Sequence, residues 1–221
     1  MESTLEVRWY VKGNPPAAVR YWFEFECPGK LLGVETRKDW YAYFQQHRID
    51  KFARFSDRPL NREEVNLKLR QGKLELKLRQ QEFGTYRFTH ARKSPVCEGK
   101  VEQWCKFKEE ELNNSTPTNN LLDEVEWTKV EKERAQKIER GVQSELTYLK
   151  IDRECWWSIA FEMTLNDFGI LQDNCFQEVI DRALKSYCGS KLSAINSFGY
   201  SKWLLKLTPQ TVPHQKIALS P

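Results

Sequence analysis

Lys68 and Arg70, and then Lys77 and Arg79, stand at alternate positions in two neighbouring runs, Val65–Arg70 and Leu74–Arg79. In a strand, residues two apart share a face. The four cations therefore share one face of a pair, opposite Leu67, Leu69, Leu74, Leu76 and Leu78. From 67 to 79 there are five basic residues and one acid, Glu75. Like charges across a strand pair are destabilising unless a counter-charge lies among them. A bound polyanion would supply it; a solvated outer face with the leucines toward a core would dispense with it. The pattern recurs. Glu2, Thr4, Glu6, Arg8 and Tyr10 share a face, as do Glu102, Trp104 and Lys106. Glu126, Thr128, Val130, Lys132 and Arg134 form a further set, and Ser158, Ala160 and Glu162 another. Arg offers phosphate a bidentate fork and Lys a point charge. Carboxylates suit a hard divalent cation such as Mg²⁺. On the inner face of a closed barrel these groups would make a phosphate-plus-metal site. The sequence leaves open which face is inside.

The elements that must carry these residues alternate with period two over the first two thirds of the chain. Thr4–Val11 reads as a strand closed by Gly13-Asn14-Pro15-Pro16, and the aromatic-rich Val19–Glu26 as another. Asp39–Phe44 reads as a strand or a helical turn. Val65–Arg70 and Leu74–Arg79 flank the Gly-containing connection Gln71-Gly72-Lys73, a hairpin signal. Lys100–Lys108 and Glu124–Arg134 follow, the latter after a polar loop at Asn113–Asn120. Gly141–Leu149 and Trp156–Thr164 complete a last hairpin. Within Leu171–Tyr187 the apolar residues Phe176, Val179, Ile180, Ala183 and Leu184 recur with helical spacing. Asp173 or Asn174 can cap this helix and Cys188-Gly189 can end it. A short apolar segment spans Ile195–Leu207, in which Gly199–Trp203 is read as docking an aromatic against the barrel. The expected fold is α+β: an eight-stranded antiparallel, tunnel-like barrel with one or two C-terminal helices. It forms a single domain over residues 1–207, with barrel strands in 1–165, a helical segment in 170–207 and a flexible tail at 208–221.

Composition narrows the classes. The chain has 221 residues, 40% hydrophobic, 13% aromatic and 30% charged, with a net charge of +4. That is enough apolar material for a core. No apolar run reaches the ~18 residues of a membrane span. The first residues have no apolar stretch of the secretory kind, so a cytoplasmic setting with reduced thiols is expected for Cys27, Cys97, Cys105, Cys155, Cys175 and Cys188. No C-x-x-C pair and only three histidines (His47, His90, His214) argue against structural zinc. The histidines read as surface or satisfied core groups. No Ser/His/Asp arrangement or glycine-rich phosphate loop is present. Basic strands with Trp and Tyr could stack bases, but interleaved acids on the same faces argue against nucleic acid.

The order of these pieces resembles the CYTH superfamily, the triphosphate tunnel metalloenzymes. Thr4-Leu5-Glu6-Val7-Arg8 resembles its opening E-x-E-x-K strand, with Thr for the first Glu and Arg for the Lys. Asp39-Trp40-Tyr41 resembles an Asp-x-Tyr segment, and Leu67–Arg70 and Leu74–Arg79 its basic central strands. Glu102 with Trp104, Val130–Arg134, and Glu145–Thr147 through Ala160–Glu162 resemble its later strands. The resemblance implies a closed tunnel that takes a triphosphate or other phosphorylated compound. Phosphate would be held by Arg8, Lys68, Arg70, Lys77, Arg79, Lys132 and Arg134, and Mg²⁺ or Mn²⁺ by Glu6, Glu102 and Glu162. Thr4 and Ala160 stand where the family places carboxylates, so the basic half of the site is better kept than the metal half. Metal-assisted hydrolysis of the phosphate chain, a non-catalytic phosphate-binding module of the same fold, and an interaction protein with solvated charged strands are the functions in play.

Overall fold

Eight antiparallel strands close into a ring in the computed structural model, which describes residues 2–44, 46–88, 97–113, 125–165 and 175–207. They are β1 (Glu2–Lys12), β2 (Lys30–Tyr43), β3 (Val65–Arg70), β4 (Lys73–Phe88), β5 (Cys97–Lys108), β6 (Glu126–Glu139), β7 (Val142–Ile151) and β8 (Glu154–Thr164). Their order around the ring is β1-β5-β4-β3-β2-β6-β7-β8. Closure comes from β1, which pairs with β5 on one side and β8 on the other. Two of the turns are fixed by local chemistry. Gln71 (φ 50°) and Gly72 (φ 78°) join β3 to β4, and Arg140 (φ 48°) and Gly141 (φ 80°) join β6 to β7. Positive φ at both central residues is the type I′ turn, whose twist matches that of the flanking strands.

The alternation sorts each strand into a charged face and an apolar one, and the charged faces point inward. All eight strands contribute polar side chains to one central cavity, among them Arg8, Arg37, Lys68, Lys77, Trp104, Lys132, Glu145 and Glu162. The apolar faces point outward and are covered by helical segments. Leu5, Val7 and Trp9 of β1 and Ile159 and Phe161 of β8 pack under α1 (Ala17–Tyr21), a π-helical turn (Trp22–Glu26) and Val179, Ile180 and Ala183 further along the chain. Leu67, Leu74, Leu76 and Leu78 of the central hairpin pack with Ile49 and Phe52 of a 3-10 segment (Gln46–Phe55) and with Leu112 of α2 (Glu109–Asn113). Each large apolar side chain so buried contributes about 1.5–3 kcal/mol. The leucines do face a core, as the solvated-face alternative required, but that core lies outside the ring.

Val19–Glu26 is not a strand. Val19, Trp22 and Phe23 are buried while Arg20, Tyr21, Glu24, Phe25 and Glu26 are exposed. That is one stripe of a helix, and its aromatic content masks a helical period. Asp39–Phe44 belongs to a longer strand that begins at Lys30, and β4 continues past Arg79 to Phe88. The amphipathic helix is α3, Cys175–Leu184, with its five periodic apolar residues buried. Its proposed caps Asp173 and Asn174 lie outside the described residues, as do the loop at 114–120 and the tail at 208–221. The segment read as Ile195–Leu207 begins within a 3-10 turn (Ala194–Asn196) and contains α4 (Tyr200–Lys206). None of the described helices is long and apolar enough to cross a membrane. All six cysteines are unpaired. Cys27 and Cys105 are buried, whereas Cys155 is only partly so.

Candidate functional site

The central cavity, about 60 Å³, is lined by seven cations and three carboxylates. Of the cations expected from the sequence, Arg8, Lys68, Arg70, Lys77, Lys132 and Arg134 line it, and so do Glu6 and Glu162. Arg79 and Glu102 do not line it. They pair with each other at 2.7 Å beside Glu64, which Arg79 meets at 3.4 Å. Side chains of His47, His90 and His214 are outside those described.

Three groups of charges build the wall. Asp39 of β2 is fully buried among Lys132 (3.1 Å), Arg37 (3.3 Å) and Arg70 (3.5 Å). Strand register brings them together, since Asp39 lies opposite Arg70 on β3 and Arg37 opposite Lys132 on β6. Burial opposes the Asp39 charge, but Lys132, Arg37 and Arg70 hold its pKa below the usual range. Glu145 of β7 accepts from Arg8 at 2.7 Å, from Arg134 at 3.2 Å and from the Thr147 hydroxyl at 2.7 Å. Against the cost of burial, Arg8 and then Arg134 hold Glu145 well below the ordinary carboxylate range. Glu75 of β4 meets Lys68 at 2.8 Å, Arg70 at 3.4 Å and Lys106 at 3.7 Å. Burial opposes its charge too, but Lys68 and the flanking cations bring its pKa down to about 2.

Cations outnumber carboxylates, and this shows in the lysines. Burial, and after it the charge of Arg70, pushes Lys68 down to about 7. Lys132 is pushed well down by burial, only partly offset by Asp39, with Lys68 and Arg37 adding repulsion. Lys77 runs the other way. Burial would lower it, but Glu162 at 2.8 Å and Glu6 at 3.7 Å raise it above its ordinary value. Among the described residues the Nε atoms of Arg37, Arg70 and Arg134 and the Asn66 Oδ1 are buried without a hydrogen-bond partner. The Arg37 and Arg70 Nε atoms face the Asp39 carboxylate at 3.3 and 3.5 Å, as ion pairs without hydrogen-bond geometry.

The three glutamates expected to hold a metal are brought side by side. Glu6 lies opposite Glu102 on one flank and opposite Glu162 on the other. Each is already engaged. Arg8 donates to Glu6 at 2.7 Å, Lys77 to Glu162 at 2.8 Å, and Arg79 and the Trp104 indole to Glu102 at 2.7 and 3.1 Å. Burial raises the Glu102 pKa despite Arg79, and the charge of Glu6 adds to the rise. Among the described residues no three Asp, Glu, His or Cys side chains converge as a metal site. The donor types suit Mg²⁺ or Mn²⁺, but as placed their oxygens turn toward ammonium and guanidinium groups and do not fit a metal ion. Thr4, where the resemblance expects a carboxylate, is buried with its hydroxyl unpartnered. Ala160 lies opposite both Arg8 and Glu145, so Glu145 supplies a carboxylate one strand over.

Sequence reasoning missed Arg37, Glu145 as an ion-pair centre, and Tyr200. Arg37 sits two residues before Asp39 on a shared strand face, a signal hidden because the strand was read to begin at 39. Tyr200 comes from α4, and its ring lies 4.0 Å from the Lys132 ammonium and 4.8 Å from the Arg8 guanidinium. No strand periodicity could place it there.

The sequence matches no protein-family model and no curated protein. Among solved structures, the PH1012 protein of Pyrococcus horikoshii is similar at 14% identity and a TM-score of 0.41, covering 84% of this chain and 92% of that one. A conserved hypothetical protein of Pyrococcus furiosus is similar at 10% identity and a TM-score of 0.41, covering 90% and 98%. The Pct1 RNA triphosphatase of S. pombe is similar at 10% identity and a TM-score of 0.44, covering 83% and 82%. These are likenesses at low identity.

Proposed function

We propose that the chain binds a linear polyphosphate or a triphosphorylated small molecule inside the barrel. The observation that carries this is the convergence of seven cations on one cavity, where they pair with the six carboxylates Glu6, Glu35, Asp39, Glu75, Glu145 and Glu162. Arg8, Arg37, Lys68, Arg70, Lys132 and Arg134 would exchange part of their pairing with Asp39, Glu75 and Glu145 for phosphate oxygens. The exchange suits a polyanion because phosphate oxygens accept from the same guanidinium and ammonium donors as the carboxylates do. The CYTH-like order of strand motifs supports the same ligand class. Of the sequence-expected phosphate ligands, Arg79 is assigned a different role, neutralising Glu102 and Glu64. Lys77 neutralises Glu6 and Glu162.

A divalent cation is the cofactor that the resemblance implies. As placed, Glu6, Glu102 and Glu162 are neutralised by Arg8, Arg79 and Lys77, so no step is assigned to it. The solvated-strand alternative is disfavoured because the charged faces line the lumen.

Calorimetric titration tests the proposal. Tripolyphosphate should bind in the presence of a chelator and should outcompete orthophosphate. Substituting Arg37 and Arg70 with Gln should weaken it by at least about tenfold, roughly 1.4 kcal/mol. Equal affinity in wild type and variant would refute the lumen as the site. Release of orthophosphate on addition of Mg²⁺ or Mn²⁺ would extend the reading from binding to hydrolysis.

A further inference from the structure

Lys77 stands on β4, and its ammonium meets Glu162 of β8 at 2.8 Å and Glu6 of β1 at 3.7 Å. Around the ring β5 lies between β4 and β1, and both β5 and β1 lie between β4 and β8. The ion pairs therefore join strands that are not neighbours. Lys77, Glu6 and Glu162 all line the central cavity, so the contact crosses the lumen. Glu6 and Glu162 themselves lie opposite each other on the paired strands β1 and β8. The lysine side chain is 17% exposed and that of Glu6 8%. Glu102 is held apart from this trio by Arg79 at 2.7 Å and by the Trp104 indole at 3.1 Å.

Mg²⁺ is coordinated by oxygens at about 2.0–2.1 Å and gives up its waters reluctantly. Carboxylates attract it when their charge is not already compensated. Here Arg8, Lys77 and Arg79 each stand within hydrogen-bond distance of one of the three glutamates. Thr4 and Ala160 bring no further carboxylate. The one position that touches both Glu6 and Glu162 is filled by the Lys77 ammonium. An ammonium is a compact point charge with three donors. With Glu162 accepting one, it keeps donors for Glu6 and for a phosphate oxygen in the cavity.

We infer that the Lys77 ammonium takes the place of a divalent cation in this lumen: it joins Glu6 and Glu162 to the phosphate chain, keeps metal out, and makes the ligand the free polyphosphate rather than its Mg²⁺ complex. The ligand half of this deepens the proposed polyphosphate reading and rests on it; the metal half rests on the ion pairs alone. A metal-complexed phosphate chain would bring a second cation against Lys77. Among the described residues Lys77 is the ion-pair partner of Glu162. Without its charge, Glu6 and Glu162 would share Arg8 alone, which Glu145 also engages. That leaves an excess of carboxylate for a metal to answer.

The test reads metal binding directly. Mn²⁺ alone, with no phosphate present, is titrated into the metal-stripped full chain as wild type, Lys77→Met and Lys77→Arg. Bound ion is followed by loss of the electron paramagnetic resonance signal of free Mn²⁺, and circular dichroism checks that each variant is folded. Lys77→Met should bind Mn²⁺ at least about tenfold more tightly than wild type. Lys77→Arg keeps the charge and should match wild type. Equal affinity in wild type and Lys77→Met would overturn the inference, as would a gain in Lys77→Arg equal to that in Lys77→Met. A second reading needs no variant: excess Mg²⁺ should weaken tripolyphosphate binding by the wild type, because it withdraws the free ligand. Tighter binding with Mg²⁺ would overturn the inference while leaving the proposed ligand class standing. No tripolyphosphate binding with or without Mg²⁺ would overturn that class, and the Mn²⁺ titration would still decide the role of Lys77.

Discussion

Lys68 and Lys132 are the cations whose protons the lumen holds least firmly, because burial and their cationic neighbours press on both. A bound polyphosphate would supply the missing negative charge and raise both toward ordinary lysine values. Below pH 7 Lys68 already carries its proton, so binding asks for none at that side chain. Above its free value of about 7, binding must bring a proton in. Affinity for tripolyphosphate should therefore be full at pH 6. It should fall by up to about tenfold per pH unit above 7, toward the ordinary lysine value of ~10.4. Titrations in two buffers of different ionisation enthalpy would show the proton uptake, and Lys68→Met should reduce it. A flat profile from pH 6 to 9 would contradict this. Glu145 gives the opposite test. Glu145→Gln leaves Arg8 with Glu6 and Arg134 with Glu35 as their carboxylate partners. Breaking a buried pair in this way should cost on the order of 3 kcal/mol in urea unfolding. It should also remove a competitor of the ligand, so tripolyphosphate should bind at least as tightly as to wild type. At this scale period-two reading brought Lys68, Arg70, Lys77, Lys132 and Arg134 to shared faces. It missed Arg37 and Glu145, because ion-pair partners are chosen by neighbouring strands rather than by neighbours in sequence.

The strands set the register, and the short α4 brings Tyr200 over Arg8 and Lys132. Gly199 is required by close approach to Trp104, whereas Lys202 holds the same element by a partly exposed ion pair. Gly199→Val should therefore destabilise by about 1–3 kcal/mol, as overpacking does. It should weaken tripolyphosphate binding as Tyr200 shifts from Arg8 and Lys132. Lys202→Ala should cost less than about 1 kcal/mol, as for exposed pairs, and leave binding unchanged. Thermal unfolding and calorimetry of both variants would check this. An affinity loss in Lys202→Ala equal to that of Gly199→Val would contradict the division of roles. Element types were legible where one period held over a whole segment, as in β3, β4 and α3. Val19–Glu26 failed because a five-residue α-helix runs directly into a π-helical turn, too short for its stripe to outweigh its aromatic content. The first half of β2 was hidden by Gly33 and a register shift between Leu31 and Gly33, which breaks the alternation.

Across the molecule, two apolar clusters wrap the outside of a ring whose inside is charged. Alternation alone could not reveal this inversion. A strand with one charged and one apolar face fits a sheet with a central core as well as it fits a tunnel with outer cover. What decides is that the helical segments supply enough apolar surface to bury the outward leucines, leaving the charged faces to one another. The energetic consequence is a lumen of ion pairs with more cations than carboxylates, stabilised by whatever anion binds there. A ligand present at 100 times its Kd adds about 2.7 kcal/mol, or on the order of 5–10 °C for a chain of this size. The most direct test of the central claim is thermal unfolding of the wild type and of Arg37→Gln/Arg70→Gln across a tripolyphosphate titration in chelator. The account predicts a rise of that size in the wild type and little or none in the variant. No rise in the wild type, or the same rise in both, would contradict it.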